Sequence, residues 1–168
     1  MMLLVVRHGP AGDRKEWAEA GKDDFLRPLT AEGRRKVVEA FRGLRRLVPA
    51  PEAVATSPLV RAVETADRLA RAFDVPAAEE LPALEPGRAP REVLPWLAER
   101  RALGQVALVG HEPHLGTLVS WLLAGRTAPF LVLKKGGACQ LDLGDDPRPG
   151  WARLQWALAP AQLRRLGR

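Results

Sequence analysis

The chain has 168 residues, of which 46% are hydrophobic and 27% charged, and its formal net charge is +6 at pH 7. These values are typical of a soluble globular protein that buries its own core, and we expect residues 1–168 to form a single domain. No apolar run is long enough to cross a membrane and no signal-peptide pattern is present, so the sequence predicts a cytoplasmic protein without a membrane partner. The single Cys139 excludes an intrachain disulfide framework and a cysteine-rich metal site.

The positive charge favours an anionic substrate or nucleic acid as partner. The basic residues, however, are spread along the chain and form no run interleaved with aromatic residues, and tyrosine is absent. No nucleic-acid-binding motif is present either. We therefore expect no nucleic-acid partner.

The first predicted element is a buried strand that ends in two polar side chains. Residues 3–9 read LLVVRHG, whose valines and terminal glycine fit a short buried strand. Ligands bind at the carboxyl ends of strands in open α/β sheets, so Arg7 and His8 should enter one crevice. The polar residues 10–29 follow as a long loop, and long loops in compact domains are often functional.

Strands and helices then alternate. Thr30 is predicted to cap a helix, and Ser57 as N-cap with Pro58 in the first turn predicts the start of another. The other predicted elements are a strand at 53–55, a strand near 77–80, a loop over 82–90, a helix over 91–101, a strand over 106–109, a helix from Pro113, strands over 130–133, 137–143 and 151–157, and a short C-terminal helix. This order predicts a three-layer α/β/α fold with a mostly parallel central sheet.

Cations or imidazoles occur at three predicted strand-to-helix junctions. Arg7 and His8 follow the first strand, Arg61 lies one turn into the helix after the second, and His111 directly follows the strand over 106–109. The carboxyl ends of parallel strands share one sheet edge, where helix N-termini also present free N–H groups. The sequence therefore predicts a phosphate site at this edge.

These residues resemble the signature of the histidine phosphatase superfamily, which includes the cofactor-dependent phosphoglycerate mutases and acid phosphatases. The matching segments are Arg7-His8-Gly9, Ser57-Pro58-Leu59-Val60-Arg61-Ala62-Val63-Glu64-Thr65 and Gly110-His111. The short chain is most similar to the phosphohistidine phosphatase (SixA-type) branch, and so are the segments RPLTAEG at 27–33 and VGHEPHLG at 109–116.

The resemblance implies that His8 attacks phosphorus and is phosphorylated, and that water then hydrolyses this intermediate. The nearby arginines disfavour the imidazolium form of His8, which keeps the nucleophile neutral. Arg7, Arg61 and a protonated His111 would supply three positive centres for the phosphate. Arg27 is either a further phosphate contact or a structural ion pair. No cofactor and no metal are implied, and we expect activity to survive EDTA.

Three other residues are interpreted as structural. Cys139 follows a glycine pair in a strand-like segment, and we expect a buried and inert thiol. Glu64 is expected to be a partner for a nearby arginine or for the backbone. His114, in the first turn of its helix, is expected to have a surface or supporting role.

A general acid is harder to assign. Phosphoglycerate mutases hold a glutamate that protonates an oxygen leaving group, and this chain has no clear equivalent. Glu85 and Glu112 are the nearest candidates by position. Phosphohistidine needs such an acid less, because the leaving imidazole takes a proton on its distal nitrogen before the P–N bond breaks.

The leading hypothesis is thus a metal-independent phosphatase that acts on protein phosphohistidine through phospho-His8 and releases inorganic phosphate. The second hypothesis is a small-molecule phosphomonoesterase that uses Glu85 or Glu112 as its acid. A non-catalytic phosphate-binding module is the third.

Overall fold

The computed structural model describes all residues 1–168 and contains one six-stranded sheet. Its strands are β1 (Met2–Arg7), β2 (Ala53–Thr56), β3 (Glu79–Glu80), β4 (Gln105–Gly110), β5 (Ala138–Asp142) and β6 (Arg153–Leu158). The order across the sheet is β3-β2-β4-β1-β5-β6. β1, β4, β2 and β3 pair in parallel, whereas β5 runs antiparallel to both β1 and β6. The predicted, mostly parallel sheet is confirmed.

Helices cover both faces of the sheet. They are α1 (Arg14–Glu19), α2 (Ala31–Leu44), α3 (Val60–Phe73), α4 (Leu94–Glu99), α5 (His114–Ala124) and α6 (Pro160–Leu166). Leu3 and Val5 of β1 pack in one core with α4 and α5, while Leu4 and Val6 pack in another with α2, α3 and α6. Because successive strand residues point to opposite faces, these two cores make the three layers that the sequence predicts. No helix has the length and apolar character required to cross a membrane.

β1 positions the functional edge because it lies in the middle of the sheet. Its four residues from Leu3 to Val6 are fully buried, which explains the continuous apolar run in the sequence. The chain leaves this strand at Arg7 and His8, beside the end of β4, where His8 N–H donates to the Gly110 carbonyl at 3.0 Å. The predicted cap of α2 is also confirmed, since the Thr30 hydroxyl accepts from Gly33 N–H at 2.9 Å.

The predicted start of α3 is wrong by two residues. Leu59 is its N-cap, and Ser57 is still part of the sheet edge, where its N–H donates to the Val109 carbonyl at 2.9 Å. The first turn of α3 is closed by the Leu59 carbonyl, which accepts from Ala62 N–H at 2.7 Å and from Val63 N–H at 3.1 Å. The Ser57 hydroxyl accepts from Leu59 N–H at 3.4 Å.

The predicted strand over 130–133 is also wrong. Side chains bind its backbone in place of a neighbouring strand: the Ser120 hydroxyl accepts from Phe130 N–H, and the Glu112 carboxylate accepts from Leu133 N–H. The Leu133 carbonyl in turn accepts from Arg7. The segment has a strand-like sequence, but its backbone groups are used by these long-range contacts.

Several boundaries also differ from those predicted. The stretch predicted as a loop over 10–29 contains α1 and a 3₁₀ turn at Asp24–Leu26. The helix predicted over 91–101 is a 3₁₀ turn at Pro90–Val93 followed by the short α4, and β3 keeps only two residues. Another 3₁₀ turn, Pro82–Leu84, lies in the predicted loop over 82–90.

The contact between α2 and α6 yields a stability prediction. A Cβ atom on Gly43 would lie 1.9 Å from the Leu163 carbonyl oxygen, so alanine at this position must push the helices apart. We expect Gly43→Ala to lower the free energy of unfolding by about 2 kcal/mol in urea denaturation, even though alanine favours helix by about 1 kcal/mol. Arg35→Ala, on the exposed face of α2, is the control and should change stability by less than about 0.5 kcal/mol. A Gly43→Ala protein as stable as the wild type would contradict this packing.

Candidate active site

The carboxyl ends of β1, β2 and β4 open onto a polar pocket of about 530 Å³. The pocket is lined by all four residues that the strand-junction pattern selected, together with Arg27 and Glu112. Its other charged lining residues are Asp13, Arg14, Asp24 and Lys135. The sheet therefore brings together residues that are more than one hundred positions apart in the chain.

His8 is buried at the end of β1 with one ring nitrogen committed. Its Nδ1 lies 2.7 Å from the Gly9 carbonyl oxygen. Because a carbonyl can only accept, Nδ1 carries the proton and Nε2 holds the free lone pair. Burial lowers the pKa of His8 to about 3; the Gly9 hydrogen bond opposes this shift, and the charges of Arg61, Arg7 and Lys135 reinforce it. The ring is neutral at pH 7, as the sequence predicts.

Arg7 and Arg61 are both anchored at the tips of their side chains. Arg7 Nη1 donates to the Leu133 carbonyl at 2.7 Å. Arg61 donates to Asp24 twice, from Nη1 to the backbone carbonyl at 2.8 Å and from Nη2 to Oδ2 at 3.0 Å. The Nε atoms of both arginines are buried without a protein partner. Each guanidinium is therefore fixed at its tip, and its Nε–H has no hydrogen-bond partner in the protein.

His111 lies beside His8, with the two ring centroids 5.0 Å apart. Its Nε2 is 2.8 Å from the Ser57 hydroxyl, while its Nδ1 is buried without a partner. Burial, together with His8 and Arg61, lowers the pKa of His111 to about 2. The expectation of a protonated His111 is thus wrong for the free protein, because a second buried cation next to Arg61 is unfavourable. If Ser57 donates to Nε2, the neutral ring still has an Nδ1–H to offer.

Asp24 is the site residue that the sequence did not reveal. Its carboxylate lies between Arg61 and Arg27, and Arg27 Nε donates to Oδ1 at 2.8 Å. Arg14 approaches the same oxygen at 3.9 Å. Burial raises the pKa of Asp24, but the hydrogen bond from Arg27 and the charges of Arg61, Arg27 and Arg14 outweigh it, and the net pKa is lowered. The only sequence signal was an acidic residue three positions before Arg27, inside a stretch predicted as loop.

The Arg27 guanidinium is fixed by hydrogen bonds to two partners. Besides its bond to Asp24, its Nη1 donates to the Gly12 carbonyl at 2.7 Å. It lines the pocket and is almost fully buried. Arg27 therefore forms the predicted ion pair and also lies where the predicted phosphate contact would be.

The two candidate acids occupy different positions. Both Glu112 oxygens accept backbone N–H groups, from Leu133 at 2.8 Å and from Gly116 at 3.1 Å, so this carboxylate organises the chain around it. Glu85 is not part of the pocket lining, although the next residue, Pro86, is.

A short chain of bonds couples His8 to Arg61. Gly9 N–H donates to the Thr65 hydroxyl at 3.1 Å, and this hydroxyl donates to the Arg61 carbonyl at 2.7 Å. Glu64, the residue before Thr65, accepts from Leu29 N–H at 2.8 Å. The structural interpretation of Glu64 is confirmed.

The remaining histidine and the cysteine lie outside the pocket lining. His114 is buried with neither ring nitrogen bonded, and burial lowers its pKa. It is therefore not a surface residue, one of the two roles that the sequence allowed. Cys139 is fully buried, as predicted, and burial raises the pKa of its thiol to about 12.

Comparison with known proteins gives a consistent result. Residues 3–85 match the histidine phosphatase superfamily (branch 1). An uncharacterized protein of Picosynechococcus sp. is 36% identical over 157 residues, which cover 92% of this chain and 89% of the relative. The phosphohistidine phosphatase SixA of Escherichia coli is 27% identical over 170 residues, covering 98% and 97%. This chain belongs to the histidine phosphatase superfamily.

A solved structure supports the same assignment. The protein histidine phosphatase SixA, complexed with tungstate, superimposes with a TM-score of 0.81 at 26% identity, over 97% of this chain and 99% of that one. The phosphoglycerate mutase-like fold predicted from the sequence is confirmed, and the protein is a phosphatase of this superfamily.

The buried neutral histidines make stability depend on pH. His8 and His111 have folded-state pKa values of about 3 and about 2, and that of His114 is also lowered from 6.5. Below pH 6.5 the unfolded chain binds protons at these rings and the folded chain does not, so stability is full above pH 6.5 and is lost as pH falls. We expect His8 and His111 each to lose about 2 kcal/mol of stability between pH 7 and pH 5, from about 1.4 kcal/mol per pH unit, in urea denaturation.

The variant His8→Gln isolates one of these contributions. It should reduce the loss of stability between pH 7 and pH 5 by about 2 kcal/mol, because the contribution of His8 is removed. A stability that does not change over this pH range would show that the rings are already protonated in the folded protein.

Proposed function

We propose that the protein removes phosphate from protein phosphohistidine through a phosphoenzyme intermediate on His8. The observation that carries the proposal is a set of buried nitrogen atoms without protein partners. Arg7 Nε, Arg61 Nε and His111 Nδ1 belong to residues that line the same pocket as His8. Buried polar groups are normally hydrogen-bonded, so three such groups around one pocket indicate a site preorganised for an anion.

The proposed reaction has two displacements at phosphorus. In the first, the lone pair of His8 Nε2 attacks phosphorus, and the P–N bond to the substrate breaks with its electron pair leaving on the substrate imidazole. In the second, water attacks phosphorus, the bond to Nε2 breaks, and inorganic phosphate leaves with His8 restored. Arg7 and Arg61 would stabilise charge on the non-bridging oxygens in both steps. The hydrogen bond from Nδ1 to Gly9 holds the ring in position throughout.

The carboxylates around the pocket support phosphohistidine as the substrate. Hydrogen bonds from the Glu16 and Lys15 N–H groups lower the pKa of Asp13, and the pKa of Asp24 is lowered as well. Both are ionised at pH 7 and lack a proton to donate. The Glu112 oxygens are engaged by backbone N–H groups. A leaving group that carries its own proton on a distal nitrogen suits such a pocket better than an alkoxide does.

The second candidate function is hydrolysis of a small phosphorylated metabolite. The pocket volume of about 530 Å³ favours it, since this lies within the range of ordinary small-molecule sites. That reaction requires an acid, for which Glu112 or Glu85 would have to be released or brought in.

The nucleophile is tested by removing it. His8→Ala should lose all turnover and form no phosphoenzyme. His8 is the histidine whose Nδ1–H is held by a backbone carbonyl, so that the lone pair lies on Nε2. The wild-type adduct should be labile in acid and stable in alkali, as a phosphoramidate is. His114→Gln is the matched control and should still form the adduct. An alkali-labile adduct would rule out His8 as the nucleophile.

Leaving-group chemistry separates the two candidate functions. With no acid, rates across aryl phosphates should rise steeply as the leaving-group pKa falls, an alkyl phosphate should react very poorly, and a phosphohistidine peptide should react well. Glu85→Gln and Glu112→Gln should each change phosphohistidine hydrolysis by less than about tenfold, below the 10²–10⁴-fold value of a general acid. EDTA in the same assays should leave the rates unchanged.

A flat dependence on leaving-group pKa that one of these two substitutions abolishes would support the small-molecule function instead.

A further inference from the structure

Large apolar side chains are exposed on two segments next to the pocket, one that contains pocket residues and one that directly precedes the pocket residue Lys135. Leu26 lies between Asp24 and Arg27, both pocket residues, yet its own side chain is 57% exposed and is not part of the lining. On the second segment, residues 129–134, Phe130 and Val132 are 61% and 68% exposed. Single exposed apolar residues are common on protein surfaces, but these three lie on the segments that border a polar pocket.

Leu26 is exposed on a well-anchored turn. The turn begins at Asp23, whose side chain accepts from Phe25 N–H at 2.9 Å. Asp24 is fixed to Arg61 and Arg27 by the bonds described above. Because Asp24 and Arg27 are both bound at the pocket, the turn between them is fixed with the Leu26 side chain toward solvent.

The 129–134 segment is also anchored by several contacts. Gly116 allows its close approach to α5, because a Cβ there would lie 2.6 Å from the Leu131 carbonyl oxygen. The Leu133 peptide is held at both ends, its N–H by Glu112 and its carbonyl by Arg7. Leu133 is buried in the core, and the alternate residues Phe130 and Val132 are the exposed ones. Their exposure therefore follows from a backbone fixed to a phosphate-binding arginine.

The charges at the pocket complement an acidic partner. Arg14 lines the pocket with a side chain that is 81% exposed, and its nearest carboxylate oxygen, on Asp24, is 3.9 Å away. Lys135 lines the pocket directly after the 129–134 segment, and Lys134 beside it is exposed. A molecule small enough to fit inside the pocket would leave the outward-facing apolar side chains uncovered.

We propose that Leu26, Phe130 and Val132 form a docking surface for the protein that carries the phosphorylated side chain. Apolar side chains that flank the phosphohistidine cover these three residues, and acidic groups of the same partner pair with Arg14 and Lys135. This inference rests on the proposed phosphohistidine phosphatase function. It assigns recognition of the protein substrate to residues that take no part in the chemistry.

The test compares free phosphohistidine with two phosphohistidine peptides, one flanked by leucine and aspartate and the other by serine and glycine. Wild-type protein should have a kcat/KM at least tenfold higher for the leucine-flanked peptide, the effect of burying one leucine-sized side chain. The double variant Leu26→Ser/Val132→Ser should lose that preference, chiefly through KM, and should hydrolyse free phosphohistidine within twofold of the wild-type rate. Phe130→Ser gives a second test on the same surface.

Trp151→Ser is the matched control, because Trp151 is 65% exposed and is not part of the pocket lining. It should leave all three rates unchanged. Equal rates of the double variant and wild type on the leucine-flanked peptide would overturn the docking surface and leave the proposed function standing. A parallel loss on free phosphohistidine would also overturn it, by showing that these residues act on the pocket. Wild-type protein that hydrolyses none of the three would overturn the proposed function, and the docking surface with it.

Discussion

The ion pairs between the Asp24 carboxylate and the surrounding arginines are the interaction on which the pocket depends. Arg61 and Arg27 are both almost fully buried, and both donate to this carboxylate. Two buried guanidinium groups repel each other unless an anion lies between them. Asp24 supplies that anion in the free protein and contacts only the tip of Arg61, so the Nε edge remains for substrate. The pocket can therefore hold concentrated positive charge without collapsing or unfolding.

The same pocket keeps its two histidines neutral at a cost to stability in acid. The proposed nucleophile His8 would need a lone pair on Nε2 to attack phosphorus, and burial beside arginines keeps its ring neutral at any physiological pH. His111 is subject to the same forces, so its contribution to binding comes from a neutral N–H rather than from a positive charge. Buried polar atoms without a partner are typical of sites prepared for a ligand. A bound phosphate would satisfy the buried nitrogens that the protein alone leaves unpaired.

The rim of the pocket differs chemically from its interior. Inside, the lining is charged and suits a phosphoryl group of any origin. Outside, Leu26 and Val132 are apolar and are held toward solvent by bonds that also fix Arg61 and Arg7. In the proposed function, catalysis and recognition would depend on the same two segments, so a partner docked on the rim would place its phosphate against the arginines.

The sequence alone determined the order of strands and helices over most of the chain. It also selected Arg7, His8, Arg61 and His111 as residues of one pocket at the sheet edge. These were predictable because a buried strand needs a local apolar run, and because parallel strands bring their carboxyl ends to one edge. Tertiary structure alone decided the roles of Asp24, Ser57 and the 129–134 segment. Their partners lie far away in the chain: Asp24 binds Arg61, Ser57 meets His111, and Leu133 is held between Arg7 and Glu112. Local pattern predicts which face of an element is buried, whereas hydrogen bonds between distant side chains and backbone exist only once the sheet has brought them together. For the same reason His111 could not be known to be neutral from its neighbours in sequence, since its pKa depends on burial that only the folded chain creates.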